Sequence, residues 1–165
     1  MNQNPYESPR SDVAVSDNNL EYAGFWSRVI ASVIDSILIL LLTSPILIGI
    51  YGMEYFQSEK IIAGAWDFLI SWVLPAIAVI IFWIYHSATP GKMVIKAKIV
   101  DARTGEKAST AQLVGRYFAY FISIIPLMLG VIWVAFDKRK QGWHDKLAGT
   151  VVVMDKDQGP ESVRF

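Results

Sequence analysis

Two ionisable residues, Arg28 and Asp35, stand in a stretch of chain that is otherwise almost entirely apolar. They are seven positions apart. On a helix that spacing places them within about 20° of one face and roughly 10.5 Å apart along the axis. A carboxylate held away from water is pushed toward neutrality, and an ionisable group in a membrane helix is a functional candidate by default. The chemistry this suggests is handling of a proton or a cation. The competing reading is structural, an ion pair that locks the helix to the rest of the molecule. Direct contact across 10.5 Å is stretched, so each group needs a further partner, and Arg116 is the candidate for one carboxylate. Ser32 lies between the two, and Ser36 and Thr43 extend a polar face along the same helix.

Other constellations carry less. His144-Asp145 follows the basic cluster Lys138 to Lys140. It suits a pH-sensitive gate or a general base, or an aspartate that caps backbone groups ahead of a strand. Thr89-Pro90-Gly91-Lys92 lacks the longer glycine loop of a nucleotide site and reads as a type II turn. His86 reads as interfacial. The chain has no cysteine and two histidines without metal-ligand spacing, so no metal site or cofactor is expected. No nucleophile–base pair is visible, so an enzyme is not expected. Zero net charge gives no bulk attraction to nucleic acid.

These residues must be positioned by apolar elements. The chain has 165 residues, 53% of them hydrophobic, and the apolar ones fall in runs. Val29 to Ile50 holds seven Ile, five Leu and two Val. Together these favour insertion by about 4 to 8 kcal/mol, against roughly 3 for a central aspartate. A first helix is expected from about Tyr22 to Thr43, stopping near Pro45. After a short loop, a second is expected from about Ala65 to Ser87, with Trp66, Trp72, Trp83 and Tyr85 as an interfacial belt. Met93 to Asp101 alternates like a strand. Ser109 with Gln112 is a capping-box signature that starts a helix near Thr110.

Leu113 to Phe136 is either a third span or a re-entrant hairpin. Arg116 lies inside it, and Pro126 and Gly130 interrupt it. Both of its flanks are basic, which favours a common, cytoplasmic side. The run Ala148 to Met154 reads as a strand that needs a partner, and pairing of about 94–101 with 148–154 also demands a common side. The hairpin is therefore the favoured reading. The expected fold is a mainly α integral membrane protein. It has a two-helix transmembrane hairpin, the broken third segment and a small cytoplasmic β element. Residues 1–21 are expected as a disordered cytoplasmic tail, 22–154 as the membrane domain and 155–165 as a flexible tail. The first apolar run reads as a retained anchor rather than a cleaved signal.

Three ordered segments resemble a known family. Phe25 to Asp35 is similar to the opening of the RDD family, named for one arginine and two aspartates. Thr89 to Lys92, with Lys98 to Asp101 and Gly105, resembles its centre, and Trp143 to Val152 its close. The resemblance covers about Tyr22 to Val153. It implies that the named residues are Arg28, Asp35 and Asp145, with Asp137 a weaker claimant to the last. It also implies a bacterial membrane protein of poorly defined activity, for which transport is suggested.

Two functions follow as expectations. One is transport of a cation or proton by a homo-oligomer. The other is a non-catalytic membrane scaffold or assembly factor in which the Arg/Asp residues are structural, with Asn4-Pro5-Tyr6 as a short docking segment. The expected setting is the bacterial inner membrane, multi-pass, with the N-terminus cytoplasmic. The expected partners are the bilayer and, at the basic loops, anionic lipid headgroups.

Overall fold

The structure is a computed structural model that describes residues 20–58 and 60–155. The Asn4-Pro5-Tyr6 segment and the two expected tails, except Leu20, Glu21 and Asp155, lie outside the described residues.

Two long helices dominate. Helix α1 spans Phe25–Tyr51 and runs straight through Pro45, eight residues past the expected stop. Proline is tolerated inside membrane helices because neighbouring groups re-satisfy the freed backbone. The true stop is Gly52, whose φ of 75° suits glycine. The second long helix is continuous from Ala65 to His86 in three pieces: α2 (Ala65–Phe68), a π-helical turn (Leu69–Val73) and α3 (Leu74–His86). The widened turn ends just before Pro75, whose ring cannot donate to the Ser71 carbonyl and crowds it. Only 11% of the most apolar part of the first helix, and 6% of the second, is buried within the chain. Apolar helices turned outward in this way are covered by lipid, not by a core. Trp66, Trp72 and Tyr85 are exposed, but Trp83 is only 2% exposed and belongs to the core, not to an interfacial belt.

Thr89-Pro90-Gly91-Lys92 is not a type II turn. Thr89 is the extended N-cap of a short helix, α4 (Pro90–Val94), with proline at its first position. Met93 and Val94 are therefore helical, and the strand starts later than expected. Strand β2 is Ala97–Asp101, and it pairs antiparallel with β3, Thr150–Asp155, from Ala97↔Met154 to Asp101↔Thr150. A third strand, β1 (Leu20–Tyr22), lies on the other edge of β3, with Tyr22 opposite Val153. The segment expected as the end of a tail is thus part of the sheet. The register explains it: Thr150 to Val153 is buried, so this central strand needs partners on both edges.

Helix α5 (Thr110–Ile124) begins at the expected capping box. Gln112 N–H donates to Ser109 Oγ at 3.3 Å and Ser109 N–H to Gln112 Oε1 at 2.9 Å. It stops just before Pro126. Leu127 and Met128 take positive φ, and the chain turns by 112° into α6 (Leu129–Ile132) and a 3-10 turn (Trp133–Ala135). The two arms touch, since a Cβ on Gly130 would lie 2.7 Å from Ser123 Cα. The segment returns to the end of the molecule it left. Arg139 Nη2 donates to Ala102 O at 2.6 Å, Gln141 Nε2 donates to Thr150 O at 2.7 Å, and α7 (Trp143–Ala148) leads into β3 beside β2.

Helix α4 packs on α1 at a backbone approach that only glycine permits. A Cβ on Gly91 would fall 2.0 Å from the Ala31 carbonyl oxygen and 2.9 Å from Asp35 Cγ. Gly91→Ala is expected to force α4 off α1, at about 3 kcal/mol. The measurement is melting temperature in detergent beside Gly115→Ala, where nothing lies within 4 Å and little change is expected.

Candidate functional site

At the end of the molecule that carries the sheet, three elements deliver charge to one buried point. Asp145, in the first turn of α7, is fully buried. Its Oδ2 receives Arg28 Nη1 from α1 at 2.5 Å, and its Oδ1 faces Arg116 Nη2 from α5 at 2.7 Å. Oδ2 also accepts the Gly142 N–H at 3.1 Å, so the carboxylate caps its own helix. Arg28 spends its other donors on backbone carbonyls, Nε on Ala23 at 3.1 Å and Nη2 on Lys140 at 2.6 Å. Arg116 is fully buried and lies 5.1 Å from the Trp83 ring centre and 5.9 Å from that of Tyr120. Burial opposes ionisation of Asp145, but Arg116 and then Arg28 outweigh it and hold the carboxyl well below the usual range.

His144 sits beside this cluster and is buried. Its ring stacks on Tyr120 at 3.8 Å, and its backbone N–H donates to Ser123 Oγ at 3.0 Å. Burial pushes the imidazole down to about 3; Asp145 opposes this, while Arg116, Arg28 and Lys92 reinforce it. Such a ring stays neutral across the physiological range, and its charge does not change near pH 6.

Asp35 does not pair with Arg28. Its Oδ2 accepts the Thr89 hydroxyl at 2.6 Å and its Oδ1 the Gly91 N–H at 2.6 Å. The first membrane helix thus lends a carboxylate to the N-terminus of α4, where free N–H groups and the helix dipole favour negative charge. Arg116 reaches Asp145 rather than Asp35. Asp137 is taken by Lys146 on the surface. Of the polar face on α1, Thr43 turns inward and donates to its own helix at Ile39 O, 2.9 Å away, while Ser32 and Ser36 stay exposed and line a cleft.

Lys92 is the residue whose place the sequence does not announce. It is buried, with 8% exposure. Its ammonium lies 5.8 Å from the Trp83 ring centre and makes no hydrogen bond or ion pair to any described residue. A second unannounced group is Asp67 near the opposite end of the hairpin. It accepts Tyr55 Oη, Ala63 N–H and Ser71 Oγ, each at 2.7 Å, and so ties the loop to the second helix.

Residues 22–149 match the RDD family. The chain belongs to that family. It is 30% identical over 153 residues to an uncharacterized protein, YxaI, of Bacillus subtilis (strain 168), covering 79% of this chain and 96% of the relative. It is 30% identical over 144 residues to an uncharacterized membrane protein, YteJ, of the same organism, covering 82% of each. A third relative, uncharacterized protein RP437 of Rickettsia prowazekii (strain Madrid E), is 40% identical over 74 residues. That match takes in 45% of this chain and 40% of the relative's length. No solved structure matches. The RDD-family assignment agrees with the outward-facing apolar helices in making this a membrane protein.

Of the three residues that the family resemblance implies, Arg28 and Asp145 meet while Asp35 stands apart, and the other claimant, Asp137, pairs with Lys146. The neutral His144 has a thermodynamic consequence. The unfolded ring takes a proton near pH 6.5 and the folded one only near 3. The unfolded state therefore binds more protons between those values, and stability falls as pH falls through that window, by at most about 1.4 kcal/mol per unit. Melting in detergent from pH 7.5 to 4 is expected to show this loss. His144→Phe, which keeps the stack on Tyr120, is expected to flatten the slope above pH 5.

Proposed function

We propose that this RDD-family chain is a non-catalytic module of the bacterial inner membrane, in which the arginines and aspartates hold the architecture together rather than move an ion. The observation that carries this reading is the occupancy of the carboxylates. Both oxygens of Asp145 face arginines, and both oxygens of Asp35 accept hydrogen bonds. A cation in transit needs oxygens free to replace its hydration shell. Arg28 and Arg116 against Asp145 also leave that triad one charge positive, which repels a cation. The module's role is then to present its sheet and basic loops to a partner on one side of the membrane.

A second reading, transport of a cation or proton, draws support from the cleft beside Asp35, with Ser32 and Ser36 on its wall and a volume of about 340 Å³. Two spans and a broken hairpin enclose no pathway by themselves, so transport requires a homo-oligomer. In either reading the N-terminus and the sheet are cytoplasmic, because Lys92 to Arg116 and Lys138 to Lys146 are basic and the loop around Lys60 is not.

Two measurements test this. In the first, Asp145→Asn is expected to lower yield and melting temperature by removing the counter-charge of the buried Arg116 and the part-buried Arg28, at about 3 to 5 kcal/mol, and adding Arg28→Gln is expected to restore part of it. Proteoliposomes of the intact chain are expected to show no flux of Na⁺, K⁺ or H⁺ above empty vesicles. Flux that Asp35→Asn abolishes without changing the melting temperature would establish transport instead. In the second, single cysteines are placed at the exposed Ser58, Thr104 and Lys138. An impermeant thiol reagent on intact cells is expected to reach Ser58→Cys alone. Labelling of Lys138→Cys but not Thr104→Cys would make the broken hairpin a full span.

A further inference from the structure

Lys92 presents to a cleft an ammonium that the fold leaves without a hydrogen-bonding partner among the described residues. The residue is more than nine-tenths buried. Asp35, which lines the same cleft, has both oxygens engaged by Thr89 and Gly91. Asp145 is ion-paired with Arg28 and Arg116, and that triad is itself one charge positive. Thr89 and Gly91 are neutral donors, so Asp35 keeps its charge near Lys92, but it gives the ammonium no hydrogen bond, and a buried ammonium without one is costly until an acceptor reaches it.

The surroundings say what carries that charge. Lys92 stands where two clefts meet, each of about 340 Å³, which share Ser32, Ser36, Lys92 and Tyr120. One runs along α1 toward Ile39, Phe121 and Ile124, and the other toward Val33, Met128 and Ile132. Their walls are otherwise mostly apolar and lie between helices whose outer faces meet lipid. A cationic floor with hydroxyls, continued by two apolar channels, matches the build of an amphiphile. Its height fits as well. Ser32, which lines both clefts with Lys92, is the eighth of 27 residues of α1, about 10 Å from its N-terminal end and so about 5 Å below the headgroup boundary of a centred helix. Helix α1 is about 40 Å long, against about 30 Å of hydrocarbon. The Lys92 end therefore lies within reach of the headgroup region.

We propose that the cleft at Lys92 is a binding site for an anionic phospholipid. Its phosphate accepts from the Lys92 ammonium, and its acyl chains enter the apolar channels beside α1. A phosphodiester supplies oxyanion acceptors for the ammonium and a negative charge beside a triad that is itself one charge positive. The shared chemistry is a phosphate oxyanion, and the apolar channels select a lipid over free phosphate. The site is independent of whether the protein moves an ion.

The test uses the full chain in nanodiscs of phosphatidylcholine with increasing phosphatidylglycerol, followed by native mass spectrometry after release. Wild type is expected to retain one phosphatidylglycerol per chain in preference to phosphatidylcholine. Lys92→Met is expected to weaken retention at least about tenfold, the scale of a lost hydrogen bond to a charged group, and Lys92→Arg to preserve it. Should Lys92→Met fail to fold, Ser36→Phe on the exposed wall obstructs the same cleft and is expected to give the same loss at unchanged melting temperature. Millimolar inorganic phosphate is expected not to displace the lipid. Displacement by phosphate would assign the site to a soluble oxyanion and overturn the lipid. Equal retention of the two lipids, or retention untouched by Lys92→Met and Ser36→Phe, would overturn the site altogether.

Discussion

The arrangement depends on one carboxylate shared by two guanidiniums. Asp145 is fully buried and has Arg28 on one oxygen and Arg116 on the other. The three residues come from α7, α1 and α5, so no two of these elements can separate without stranding a buried charge. Transfer of such ions from water costs several kcal/mol each, and only good geometry with further hydrogen bonds offsets it. Here Arg28 and Asp145 have further bonds, Arg28 to the carbonyls of Ala23 and Lys140 and Asp145 from the Gly142 N–H, while Arg116 has only its charge on Asp145 and the faces of Trp83 and Tyr120, its nitrogens making no hydrogen bond among the described residues. The triad therefore supplies specificity more than net stability. It fixes which face of α1 meets the broken hairpin, a choice that apolar contacts between membrane helices leave open.

A second junction acts in the same way one layer deeper. Asp35 gives its carboxylate to the N-terminus of α4, and Gly91 lets the two backbones approach to a distance no side chain would allow. Because α4 leads directly into the loop before β2, the contact also sets where the sheet begins. Lys92 follows from this placement. It is the next residue on a short helix pressed against α1, so its side chain has little choice but the space beside Trp83.

Much of this was legible in the sequence, and the failures have distinct causes. The apolar runs, the Ser109/Gln112 cap, the break at Pro126 and the pairing of β2 with β3 follow from local patterns with strong periodicity or turn chemistry. That Arg28 and Asp35 each need another partner follows from their spacing, but which partner does not, because helical spacing places residues on a face and says nothing of a group arriving from elsewhere. Asp145 lies 117 positions from Arg28, and only the folded chain brings it near. Thr89 to Lys92 has the composition of a turn and of a helix start alike, since proline suits both; Asp35 as a distant cap decides between them. Strand β1 is three residues long and carries no alternation to detect. Its trace was indirect, in the unbroken Val151-Val152-Val153, which reads as a strand covered on both faces. Trp83 reads as interfacial by position, and only the two cations beside it reveal that its face is used.

The same charges that organise the fold also restrict what it can do. Three cations and two carboxylates are gathered near one end of the spans, and the carboxylates are consumed internally. What remains without a hydrogen-bonding partner in the cleft is the Lys92 ammonium. An aspartate in a membrane helix usually suggests a cation path because its oxygens are expected to be free. Here the oxygens of Asp35 close a helix terminus, and the free polarity belongs to Lys92. The polar character of the cleft therefore follows from the partners these residues find, not from the residue types alone.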